Sequence, residues 1–271
     1  MRIQSGTAED LDAPPAREIR MFAVRRSGHH ALIHWIAQQC GEPIRFINDC
    51  QPFENPLQYH GRQPRAAEEW YIGIKDPRFL ALSGSPLVYN YEHRDLAPFA
   101  SREVVPAGLR FGTGEQVREV LVHRDPYNLL ASHRKWRPEE FDRPEYVPRL
   151  LALWKLYARE FLRTTEYLAD PVCVNYNRWF IDPGYRTGLI RALDLPVAAD
   201  LGVPAEVSPY GGGSSFDKST MDGQAAQMKV LERWKAFDGR QPLTELIDAE
   251  TQELSDQIFG PILDQPLTPA A

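Results

Sequence analysis

The stretch Ile19-Arg20-Met21-Phe22-Ala23-Val24-Arg25-Arg26-Ser27-Gly28-His29-His30-Ala31-Leu32-Ile33-His34-Trp35-Ile36 decides the fold. Met21 to Val24 is an apolar run suited to an interior parallel strand. Beyond Gly28, Ala31, Leu32, Trp35 and Ile36 recur at helical spacing. The order is strand, basic turn, helix. A helix starting near Gly28 aims its free backbone N–H groups and the positive end of its dipole at a turn that already carries two arginines, so a phosphate or sulfate is its natural occupant. An ordinary strand-to-helix connection with two solvated arginines has the same appearance, so one short motif does not decide between them.

Working outward, strand-like and helix-like segments alternate. Pro43 to Ile47 reads as a second strand ending at Asn48-Asp49, and Trp70 to Ile74 as another that runs into Lys75-Asp76-Pro77-Arg78. Gln51 to Arg65 reads as a loop, and 79–112, punctuated by Gly84, Pro86, Pro98 and Pro106, as irregular. Val117 to Val122 is a buried strand followed by His123-Arg124-Asp125-Pro126 and a helix with proline in its first turn. The pattern predicts a long amphipathic helix over 145–168, a strand at Val172–Tyr176, a helix at Tyr185–Leu193, a glycine loop at Gly211–Phe216 and C-terminal helices at about 222–237 and 243–258. This is an α/β chain: a three-layer sandwich on a mainly parallel sheet, with a loose lead-in over 1–17 and one domain over 18–271. In such sheets ligands gather beyond the C-terminal strand ends. Arg25, Arg26, Asp49, Lys75, Asp76, Arg124 and Tyr176 all fall there.

Composition narrows the function. The 271 residues carry a net charge of −6, 43% hydrophobic and 25% charged residues, an ordinary globular balance with no general attraction for nucleic acid or anionic membrane. Any anion site is therefore local. No stretch approaches the ~20 apolar residues of a spanning helix, and the polar N-terminus has no secretory core. The three cysteines, Cys40, Cys50 and Cys173, lack metal-ligand spacing and read as small buried groups in a reduced compartment. The expectation is a cytoplasmic enzyme without a metal.

A second motif joins the first. In Val120-Leu121-Val122-His123-Arg124-Asp125-Pro126-Tyr127-Asn128-Leu129-Leu130-Ala131-Ser132-His133, an arginine at a strand end stands eight residues before a helical serine. Together they can grip one further phosphate by bidentate charge and a hydroxyl; a strand-cap arginine paired with Asp125 is the plainer alternative. His133, Arg134 and Lys135 read as a solvated helix face, and Trp136, Trp154 and Trp179 as core.

A basic-Ser-Gly turn after the first strand, an R-D-P-x4-A-S-H segment after a later one, a strand ending in tyrosine and a late glycine loop together resemble the sulfotransferases that use 3′-phosphoadenosine 5′-phosphosulfate (PAPS). The resemblance spans about residues 18–220. It implies a P-loop-like nucleotide-binding architecture, PAPS as co-substrate and 3′,5′-ADP as product. It implies that Arg25, Arg26, Ser27, Gly28, His29 and His30 bind the 5′-phosphosulfate, Arg124 and Ser132 the 3′-phosphate, Tyr176 the neighbourhood of adenine, and Ser214, Ser215 and Phe216 the closing loop. Where the family turn commonly continues with two threonines, His29-His30 stands here. Those histidines either contact phosphate or face solvent. Sulfuryl transfer needs positive charge at the leaving oxygen, assigned to Arg26 with Lys75 as helper, and a base for the acceptor, for which Asp49, Asp76, Glu42 and His93 are candidates.

The acceptor is a hydroxyl or amine of a saccharide, small metabolite or peptide tyrosine; Tyr59, His60, Trp70, Tyr89, Tyr91 and His93 are candidate pocket residues. Neither the acceptor nor the oligomeric state is decided by sequence. Two other readings stay open: a small-molecule kinase, disfavoured by the missing Gly-Lys-Ser/Thr, and a nucleotide-binding module without a base.

Overall fold

The computed structural model describes residues 17–52, 70–81, 85–100, 117–196, 201–208, 213–237 and 242–264. Its frame is a six-stranded sheet of β1 (Glu18–Ala23), β2 (Ile44–Ile47), β3 (Tyr71–Gly73), β4 (Leu87–Glu92), β5 (Val117–His123) and β6 (Val172–Asn175) in the order β3-β2-β4-β1-β5-β6. Every neighbouring pair is parallel. The helices are α1 (His29–Cys40), α2 (Arg78–Ala81), α3 (Ala97–Ala100), α4 (Pro126–Trp136), α5 (Pro138–Phe141), α6 (Tyr146–Phe161), α7 (Tyr176–Ile181), α8 (Pro183–Ala192) and α9 (Ala249–Phe259).

Strand alternation splits the core between the two faces of the sheet. Ile19, Met21 and Ala23 of β1 pack with Leu32, Trp35 and Ile36 of α1 and with Trp179, Leu189 and Ile190 of α7 and α8. On the other face Phe22, Tyr91 and Leu121 pack with Leu129 and Leu130 of α4 and Leu150, Leu151, Trp154 and Tyr157 of α6. The expected three-layer α/β class is therefore the observed one. After β1 the chain crosses to β2 on one side of it, and after β4 it crosses to β5 on the other, so the carboxyl end of β1 stands at a reversal of strand order, where such sheets open a crevice.

Four element expectations are corrected. The segment read as irregular holds β4, a central strand buried from Leu87 to Tyr91; its flanking prolines lie outside the ladder and Asn90 interrupts the apolar run, which hid it. Tyr176 does not end a strand but opens α7, whose N-cap Asn175 accepts from the Arg178 amide. The predicted helix over 222–237 is instead two short 3-10 turns, Ala225–Gln227 and Arg233–Phe237, and the last helix begins only at Ala249, after a 3-10 turn at Leu243–Leu246.

Candidate active site

The first turn forms as its residues dictate. The Ser27 amide donates to Val24 O at 3.1 Å, and the Ala31 and Leu32 amides both reach Gly28 O, at 3.0 and 3.3 Å. The amides ahead of them point out of the helix, as at any helix N-terminus. Gly28 caps α1 at φ 83°, and a Cβ there would lie 2.2 Å from the Tyr176 ring. Only glycine meets both demands. The Ser27 hydroxyl is buried without a hydrogen-bond partner. Arg26 takes the left-handed φ of 68° and donates to Gly213 O at 3.1 Å and to Ser215 Oγ. Burial, opposed by Glu92 and reinforced by Arg124 and Arg25, lowers its pKa to about 10.

A second polar cluster is assembled from three segments. Arg124 Nη1 donates to Ser132 Oγ at 3.2 Å and to Arg26 O at 3.2 Å, and Nη2 donates to Val230 O. Its own carbonyl accepts from Trp154 Nε1 at 2.8 Å. Asp125 does not pair with it: that carboxylate caps α4 through the Asn128 amide and binds Asn177 Nδ2 at 2.9 Å. Arg233, from the 3-10 turn, reaches the same serine at 3.5 Å, Ser214 Oγ at 2.7 Å and Asp217 at 3.3 Å. Burial and the nearby Arg124 charge lower its pKa to about 10. The Arg124 guanidinium lies 5.2 Å from the centroid of the Tyr176 ring.

One cavity joins the turn and this cluster, with about 770 Å³ of unfilled space that opens to solvent. Its polar wall includes Arg26, His29, His30, Glu92, Arg124, Ser214 and Arg233; its apolar wall includes Phe180, Val203, Val207, Met228 and Val230, and Tyr176 lies between. It is a slot with arginines and hydroxyls clustered at two points and apolar sides between them.

At the end of β4, beside Ala23 of β1, stands Glu92. Its Oε2 is 3.4 Å from Arg25 Nε and its Oε1 is 3.8 Å from His29 Nε2. Burial opposes its charge, but the neighbouring imidazoles and Arg25 outweigh that and hold the carboxyl below the usual range. His29 is 2% exposed and neither ring nitrogen has a hydrogen-bond partner; burial first, then its cationic neighbours, keep it neutral, with a pKa lowered to about 3. His30 Nε2 meets Asn48 Oδ1 at 3.0 Å.

Of the residues singled out from sequence, the structure gathers Arg26, Gly28, His29, His30, Arg124, Tyr176 and Ser214 around the cavity. Ser27, Arg25, Ser132 and Ser215 stand directly behind them. Phe216 meets Phe237 edge-to-face and lies under Arg233 and Lys135 rather than lining the cavity. Asp49 follows β2 and is tied to Arg94 at 2.7 Å; burial raises its pKa. Lys75 is exposed and Asp76 is held in a local turn by Arg78. Glu42 is exposed in the turn before β2, at the amino end of the sheet. His93 follows Glu92 with φ 61°. Trp136 is only half-buried, with Arg25, Arg26 and Arg137 over its ring at 5.7, 5.6 and 4.2 Å.

His133 is not a solvated surface residue: it is buried, meeting Arg25 O at 2.9 Å and the Tyr146 hydroxyl at 2.8 Å. Tyr59, His60, Gly211 and Gly212 lie outside the described residues. Glu92, Arg233 and Phe180 were missed. Only assigning β4 would have placed Glu92 at a strand end, and no local signal marks Arg233. Among the described residues no helix is long and apolar enough to cross a membrane, and no His/Cys/Asp/Glu group has the arrangement to hold a metal ion.

No protein-family model matches the chain and no curated protein matches it. Among solved structures it is similar to the sulfotransferase domain from the Synechococcus PCC 7002 olefin synthase, at 16% identity and a TM-score of 0.46, over 95% of this chain and 98% of that one.

Proposed function

We propose that this protein is a PAPS-dependent sulfotransferase acting on a hydroxyl or amine of an acceptor. The observation that carries the reading is that Arg124 and Arg233 converge on Ser132 while Arg26 stands on the 24–28 turn, and that the three arginines border a single part-apolar cavity, which suits two anionic groups. A nucleotide phosphorylated at both 3′ and 5′ positions carries two such groups; a nucleoside triphosphate carries one. The orphaned Ser27 hydroxyl suits an oxyanion at the turn.

Bound PAPS would supply the sulfuryl group and a phosphate leaving group. The turn amides and Arg26 would hold that phosphate and meet the charge growing on its bridging oxygen. Arg124, Ser132 and Arg233 would fix the 3′-phosphate and so the direction of attack. Glu92 lines the cavity beside the turn and, in this reading, takes the acceptor's proton in place of Asp49, Asp76 or Glu42. The acceptor class stays that of a saccharide, small metabolite or tyrosine.

Calorimetric titration with 3′,5′-ADP and with 5′-ADP tests it, using wild type, Ser132→Ala and Arg124→Lys. Charged hydrogen bonds are each worth about 1.5–3 kcal/mol, so wild type should prefer 3′,5′-ADP by roughly tenfold to a hundredfold, and both variants should narrow that gap while binding 5′-ADP as before. Equal affinity for the two nucleotides, or tighter binding of ATP with magnesium, would overturn the assignment.

A further inference from the structure

His29 is the buried group that binding alone leaves unexplained. It opens α1, lines the cavity, and is shut off from water with both ring nitrogens lacking a hydrogen-bond partner. Leaving two such atoms unsatisfied costs stability unless the site uses them. The nearest acid is Glu92, whose Oε1 lies 3.8 Å from Nε2, just beyond hydrogen-bond reach. A carboxylate and a neutral imidazole nitrogen at that separation attract each other strongly only when one proton lies between them. Glu92 Oε2 is meanwhile steadied by Arg25 Nε at 3.4 Å.

We propose that Glu92 and His29 share one proton during transfer, with His29 a positioning residue that acts through Glu92. The inference rests on the sulfuryl-transfer reading above. As the acceptor oxygen bonds to sulfur, its O–H bond breaks and the proton passes to Glu92. The bond from sulfur to the bridging oxygen breaks with its electron pair going to the phosphate of 3′,5′-ADP. The proton then rests between Glu92 Oε1 and His29 Nε2 and is released once products leave. A carboxylate held acidic by its neighbours is a weak base alone; a buried imidazole behind it gives the proton a second seat.

The groups that set the pair's proton affinity are Arg25, Arg26, His30, Asp49 and His93. In the empty site the two arginines expel a proton. When a nucleotide phosphate neutralises them, the pair should take one up. Binding of 3′,5′-ADP measured by calorimetry at one pH in buffers of different ionisation enthalpy reads this directly. Wild type should take up a substantial fraction of a proton more than His29→Gln or Glu92→Gln, which share the nucleotide's own titration but lack the pair. His29→Gln keeps a hydrogen-bonding nitrogen yet cannot hold the proton. It should bind 3′,5′-ADP within about threefold of wild type and turn over PAPS at least tenfold more slowly, through kcat and not KM.

Equal proton uptake in wild type and His29→Gln, or wild-type turnover by that variant, overturns the pairing. If wild type binds no 3′,5′-ADP, the donor reading falls by itself, and the pair is judged on the free protein: the 15N imidazole shifts of His29 must then change in Glu92→Gln, and unchanged shifts refute it. His29→Asn, checked for an unaltered melting transition, separates these effects from packing.

Discussion

Gly28 shows how little freedom the 24–28 turn has. Its φ of 83° is one constraint and the Tyr176 ring 2.2 Å from a would-be Cβ is the other. Strained left-handed backbone at a non-glycine residue costs about 1–3 kcal/mol, and a clash against a buried ring adds to that. Gly28→Ala should therefore lower stability by more than the backbone term alone and abolish tight nucleotide binding. In a double-mutant cycle, Tyr176→Ala should recover the clash and leave the backbone cost, giving a coupling within the ~0.5–3 kcal/mol seen between touching residues. Additive melting data would remove the ring from the account. At this scale the sequence was most readable where spacing is local. Arg124 and Ser132 lie eight residues apart on a strand end and its helix, so their meeting at 3.2 Å follows from helical rise. Arg233 comes 101 positions after Ser132, and no periodicity links them.

At the scale of elements, strand ends were legible wherever the strand was. β1, β2, β3, β5 and β6 announced themselves by apolar runs followed by a polar turn. β4 carries Tyr-Asn-Tyr-Glu in place of the continuous apolar run typical of an interior parallel strand, because Tyr89 and Tyr91 point into one core face while Asn90 serves the turn after β2, accepting from the Asp49 amide at 2.6 Å. Missing that strand meant missing Glu92. The segment 222–237, expected as a helix, was misread for a different reason. Its helical spacing is real but weak, and the chain from Gly213 onward is held by cations: Arg26 on Gly213 O, Arg124 on Val230 O, and Arg233 on the side chains of Ser214 and Asp217. These same cations face the proposed phosphates, so ligand and segment should be coupled. In hydrogen exchange, 3′,5′-ADP should slow exchange across 213–237 more than across β5, which is already paired on both sides. Protection confined to the 24–30 turn would leave the segment outside the binding unit.

For the whole molecule, a net charge of −6 hides a locally cationic cleft, and the same separation of global from local governs its response to acid. His29, His123 and His133 have pKa values lowered to about 3, and His93 to about 4, in each case through burial first. A histidine near 6.5 when unfolded then binds protons in the unfolded state that the native state refuses. Stability therefore rises with pH across this window: it is full above about 6.5 and is lost as pH falls toward the folded values, by up to ~1.4 kcal/mol per pH unit per histidine. Asp49 and Glu119, whose pKa values are raised by burial, act in the opposite sense, but only in the carboxylate range.

His123 isolates the effect. It is fully buried, both ring nitrogens lack a hydrogen-bond partner, and it stacks among Trp154, Phe161 and Phe259 at 4.7, 6.0 and 5.8 Å, on the face of the sheet away from α1. Replacing it severs no side-chain hydrogen bond. His123→Phe should leave stability near pH 8 within about 1.5 kcal/mol of wild type, the usual range for a volume-conserving core change. Between pH 6.5 and 4.5 its stability curve should be shallower by about one proton, so that the variant becomes the more stable protein in mild acid. Chemical denaturation at several pH values measures that slope. An unchanged slope would mean that His123 already reaches water or a partner in solution, and the acid sensitivity would then belong to the histidines of the cleft alone, where nucleotide binding should suppress it.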